Sequence, residues 1–161
     1  MLINMNRRIL VYIFLLSLIS ANELGAQTGN LTRTFPHPSL APLDVVRIVM
    51  TALQKNDERG ANSGIAITFN FASPANKRVT GPLARFTSML NGPLYGDMLN
   101  HKGALYENFS MEGKKARVDV IIRTVSENFK GFRFRLSRQR GNIYEGSWMT
   151  DAVMPIDVTA I

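Results

Sequence analysis

The chain contains no cysteine. Structural disulfides, thiolate nucleophiles, Cys-ligated zinc and lipid attachment through an N-terminal Cys are therefore excluded, and packing alone must hold the fold together. Histidine is nearly as scarce. His37 and His101 are the only two, and they lie far apart. Acidic residues never cluster as a calcium loop requires, so neither a metal nor a cofactor is expected. No catalytic or cofactor motif is present. Long apolar runs are missing too: the longest spans residues 9–19, well short of the roughly 20 residues a membrane-crossing helix needs.

That short run has a use at its position. Arg7 and Arg8 precede it, and small residues follow at Ala21 and Ala26. A basic start, a brief apolar stretch and a small-residue exit describe an export signal, assigned here to residues 1–26, with no stable membrane span after cleavage. The expected location is the periplasm or the exterior. Residues 27–41 are polar, contain two prolines and show no periodicity, so they read as a flexible arm. Residues 42–157 remain as one domain, large enough to bury a core. The whole chain has 19 Lys and Arg against 12 Asp and Glu, a formal charge of +7.

Within the domain, Pro42 suits the first turn of a helix, where its missing N–H costs nothing. Val45, Ile48, Val49, Ala52 and Leu53 then form one apolar stripe, and Asn56-Asp57 ends it. Residues 65–71 alternate apolar and small or polar side chains, the period of a strand. A helix follows at Thr80-Gly81-Pro82, with Thr80 as its cap and Leu83, Phe86, Met89 and Leu90 on one face. Gly92-Pro93 breaks it. A short helical turn over residues 94–99 comes next. Beyond His101 the period changes to two. Strands are expected at 104–111, 116–125, 132–137 and 143–154, the last after a turn at Arg140-Gly141-Asn142. Helices first and an antiparallel meander after them give an α+β class.

Asn56-Asp57, Phe71-Ala72-Ser73-Pro74, Gly81-Pro82, Phe86, Met89-Leu90, Tyr95 and Gly146-Ser147-Trp148 with Asp151 occur in an order that resembles the nuclear transport factor 2-like (cystatin-like) superfamily. Within it, the chain looks like a family known only as a domain of unknown function. The likeness covers roughly residues 42–156. It implies N-terminal helices packed on a curved antiparallel sheet of about four strands, and a helix at 65–71 in place of the strand. It also implies a cone-shaped pocket, which in relatives serves enzymes, ligand carriers or interaction modules. Because the sheet commonly packs against a second copy in that superfamily, a homodimer through Arg133 and Arg135 is also implied.

Superfamily enzymes use a carboxylate or an Asp–His pair in the pocket, which makes Asp97, His101 and Asp119 the candidate catalytic residues of a hydratase- or isomerase-like activity. Asp97 and His101 stand four residues apart, a helical spacing. Asp119 lies between Arg117 and Arg123, where a surface ion pair is the simpler role. Tyr95, Trp148 and Phe86 are the candidate ligand-binding residues. A two-residue turn would set Trp148 opposite Arg135, and a longer one would set it with Phe134 in the core. Arg117, Arg123, Arg133 and Arg135 alternate outward and form a candidate patch for an acidic partner; nucleic acid is not an expected partner of an exported chain. The reading that follows is a non-catalytic binding domain for a small apolar ligand or an acidic partner.

Overall fold

The computed structural model describes residues 34–158. The expected export signal, its cleavage site and residues 27–33 of the arm lie outside the described residues. The remainder of the arm lies against the domain: Leu40 is buried in the core, and Asn70 Nδ2 donates to the Thr34 carbonyl at 3.0 Å.

Helix α1 spans Pro42–Gln54. It begins as read, with Pro42 in the first turn and Asp44 accepting from the Ala41 N–H at 3.2 Å. The expected stripe is buried, and so are Val46 and Met50, because α1 packs against other helices on one side and the sheet on the other. Each such aliphatic side chain contributes about 1.5–3 kcal/mol when fully buried.

Residues Ser63–Phe71 form helix α2, not the strand that their alternation suggests. In the helix, Ile65 and Phe71 are buried, while Ile67 and Phe69 are only partly so. The alternation thus mixes core residues with rim residues. Asn56 fixes where α2 starts. Its buried Oδ1 accepts from the Ile65 N–H at 3.1 Å, and its carbonyl accepts from the Gly64 N–H at 2.9 Å. A Cβ at Gly64 would collide with the Ala52 carbonyl and come within 2.8 Å of Asn56 Cα, so only glycine allows this helix–helix approach.

The apolar pattern marks no element at Pro74–Thr80, yet a helix, α3, occupies it with none of its residues buried. Ser73 caps it by accepting from the Asn76 N–H at 3.2 Å. Lys77 lies over the rings of Phe69 and Tyr144, at 5.1 Å and 5.3 Å, and burial lowers its pKa. Helix α4 spans Leu83–Leu90 and buries Phe86 and Leu90; Leu83 is exposed. Thr80 does not cap α4. It ends α3 instead, with its hydroxyl 2.9 Å from the Asn76 carbonyl. The last helical element is a single 3-10 turn, Gly96–Met98.

Strands β1 (Gly103–Glu112), β2 (Lys115–Arg123), β3 (Phe129–Arg138) and β4 (Trp148–Ile156) form one antiparallel sheet in chain order. The class is α+β. Val118, Val120, Ile122, Phe132, Phe134 and Leu136 are buried in the core, and the residues between them face outward. β4 begins later than its alternation suggests, because Arg138 and Gln139 close a longer loop. Gln139 N–H donates to Ser147 at 2.8 Å, Gly146 N–H donates back to Gln139 at 3.0 Å, and Ile143 is exposed. Trp148 consequently pairs in register with Arg138 and enters the core. Between Arg135 and Leu136 the register with β4 shifts, leaving Asp151 as the extra residue of a bulge.

Gly64→Ala should lower the stability of the domain by about 3 kcal/mol through overpacking. Urea denaturation checks this as a fall in midpoint at constant m-value.

Candidate functional site

A cavity of about 360 Å³ lies between the helices and the sheet. Val49 and Leu53 of α1, Phe86 and Leu90 of α4, Phe134 of β3 and Val153 of β4 give it a largely apolar wall. It reaches solvent beside α3, where the lining residues Ala75 and Val79 are exposed.

Most polar side chains on this wall are committed to the protein. Thr68 Oγ1 donates to the Gly64 carbonyl at 2.9 Å. Asn76 Nδ2 donates to the Thr150 carbonyl at 3.1 Å, and Thr80 donates to Asn76. Tyr95 OH donates to the Val153 carbonyl at 3.0 Å, with burial raising its pKa. Two groups stand apart. The Thr150 hydroxyl is buried with no hydrogen-bond partner, and the Asp151 carboxylate enters no hydrogen bond or ion pair with any described residue.

Of the residues singled out from the sequence, Tyr95 and Phe86 line the cavity, whereas Trp148 is a core residue outside its lining. Asp97, His101 and Asp119 are not among the lining residues either. Asp97 forms an ion pair with Lys130. His101 is 2 % exposed, and its Nδ1–H donates to the Met98 carbonyl at 2.8 Å. The helical spacing of Asp97 and His101 does not bring them together, because the 3-10 turn ends at Met98 and Asn100 has a left-handed φ of 55°. Asp119 is buried. Its two oxygens accept from Arg133 at 2.7 Å and 2.8 Å, and Asn108 Nδ2 adds a third bond at 3.1 Å. The Arg133 hydrogen bonds hold the Asp119 carboxyl below the usual range, against the effect of burial.

On the outer face, Arg117 stands directly opposite Arg135. Together with Lys115 and Arg133 they border a shallow groove that Asp151 also reaches. Arg123 belongs to a different group at the end of β2, where it and Lys102 pair with Glu127. Sequence reasoning does not single out Thr150, and it names Asp151 only as part of the resemblance, with no site role. Their signal is a one-residue register shift, which no periodicity reveals.

No family model matches the chain, and no curated protein or solved structure matches it. Its functional reading therefore rests on geometry. Among the described residues, no helix is long and apolar enough to cross a membrane.

Burial lowers the His101 pKa from its ordinary 6.5, outweighing the raising effect of the Met98 carbonyl. The unfolded chain then binds the extra proton more readily, so stability rises with pH. The contribution is full above about 6.5 and falls as pH drops below that value. Chemical denaturation between pH 7.5 and 5 should show this slope, and His101→Asn should flatten it. A parallel slope in the variant would assign it to other groups. Asp119 has the same sign in a lower window, at and below the ordinary carboxylate range. Asp119→Ala should cost about 2 kcal/mol at neutral pH, discounted for solvent on the Arg133 side.

Proposed function

We propose that this chain is an exported, non-catalytic domain of nuclear transport factor 2-like form, and that it binds a small apolar ligand in the cavity between helices and sheet. The cavity carries the proposal. Its volume falls in the range of small-molecule sites, its wall is apolar with few polar groups, and it opens beside an exposed helix. None of the three carboxylate and histidine candidates for catalysis lines that cavity, and each is already engaged within the protein, which favours binding over a hydratase- or isomerase-like reaction. Helices laid on a four-stranded antiparallel meander accord with the superfamily resemblance, and the basic and apolar start of the chain supports export.

Native mass spectra of the protein purified without detergent test this reading. The expected result is extra mass that is lost on denaturation and disappears in Ala75→Phe, which narrows the mouth from an exposed position. An empty species that also takes up no apolar compound when titrated would contradict it.

A second reading rests on the outer face, where Arg117 and Arg135 face each other and neither forms an ion pair among the described residues. An acidic protein or polysaccharide would complement that pair. Retention on an acidic matrix should fall steeply with salt. Arg117→Ser combined with Arg135→Ser should abolish it with thermal stability unchanged; equal retention by the variant would remove this reading.

A further inference from the structure

The cavity wall is uneven in its polar matching, and the mismatch sits at one place. Thr68, Asn76, Thr80 and Tyr95 each use their polar atoms within the protein. Thr150 and Asp151 do not, and they are consecutive residues at the bulge of β4. An unmatched buried hydroxyl is destabilising relative to a satisfied one, because its desolvation is not offset by a hydrogen bond. Thr150 is 5 % exposed as a residue and its hydroxyl oxygen is buried, so bulk water does not supply the missing bond. One rotatable bond, χ1, sets where that hydroxyl points.

The backbone here is not short of bonds. The Thr150 carbonyl accepts from Ser73 N–H at 2.8 Å and from Asn76 Nδ2 at 3.1 Å. Only the side chains remain unmatched. Asp151 borders both the cavity and the outer groove of Arg117, Arg133 and Arg135, yet it forms an ion pair with none of them. A carboxylate accepts hydrogen bonds, while a hydroxyl both donates and accepts. The complement to the two together is therefore a donor, and a ligand carboxylate would meet Asp151 as a like charge.

Accepting that the cavity is a ligand site, we propose that its ligand is a lipophile with a hydrogen-bond donor at one end, an alcohol or an amine, held against Thr150 and Asp151. Anionic lipids such as fatty acids are selected against. Size follows from the volume: at roughly 30 Å³ per water-sized group, 360 Å³ accommodates about a dozen non-hydrogen atoms. The apolar body lies along Val49, Leu53 and Phe86, and the donor ends at β4.

Calorimetric titration with 1-decanol, decylamine and decanoate tests the assignment. Decanol or decylamine should bind about tenfold more tightly than decanoate, a difference of about 1.4 kcal/mol. Thr150→Val removes the unmatched hydroxyl at nearly constant shape. It should raise the melting temperature of the empty domain while weakening the donor-bearing ligand about tenfold, and Thr150→Ser should retain binding. Asp151→Asn separates the two sources of donor. A loss confined to decylamine identifies an ammonium group, and an equal loss for both compounds identifies a neutral donor. Decanoate binding as tightly as decanol, or donor binding that ignores both Thr150→Val and Asp151→Asn, overturns this inference and leaves the apolar site standing. Failure of all three compounds to bind refutes the ligand site itself.

Discussion

The carbonyl of Thr150 joins the two halves of this fold. β4 is an edge strand of the sheet, and an edge presents unpaired backbone groups that need a partner. Here the partner is the connection between α2 and α3. Ala72 forms an isolated parallel bridge with Thr150, and Ser73 N–H and Asn76 Nδ2 both donate to its carbonyl. Phe71, Ala72 and Ser73 are buried as a result. Pro74 then starts α3, which stands off from the core and leaves the cavity behind it. The tie between helices and sheet is thus also one wall of the candidate site.

The same constraint explains why α3 exists without a buried face. It is held by its Ser73 cap, by the Asn76 bond to β4 and by Lys77 over two aromatic rings. Local polar contacts replace core packing along this helix. Elements stabilised in that way open more readily than core elements, which suits a helix at the mouth of the cavity. Deeper in the domain the packing is close, because Gly64 brings α2 onto the backbone of α1 and Asn56 fixes the start of α2.

Much of this architecture was legible in the sequence, and the exceptions share a cause. The stripe from Val45 to Leu53 and the alternation of Val118, Val120 and Ile122 are wholly buried positions at a regular period, so periodicity reads them directly. Residues 65–71 failed that test because Ile67 and Phe69 pack at the rim while Ile65 and Phe71 fill the core. The pairing of Asp97 with His101 failed because spacing implies a shared face only on a continuous helix, and the chain turns at Asn100. Tyr95 and Phe86 could be placed at the cavity as conspicuous aromatics near the helical break. Thr150 and Asp151 could not. Their role depends on a bulge set by how β4 meets β3, a tertiary outcome with no local signature.

Methyl-resolved NMR during titration with 1-decanol probes the central claim most directly, since it reports where a ligand sits as well as whether it binds. Binding in the cavity predicts shifts at Val49, Leu53, Leu90 and Val153, which line it, with Val118 and Val120 elsewhere in the core little changed. Unperturbed lining methyls at saturating decanol, or shifts restricted to the outer sheet face, would contradict a ligand site between the helices and the sheet.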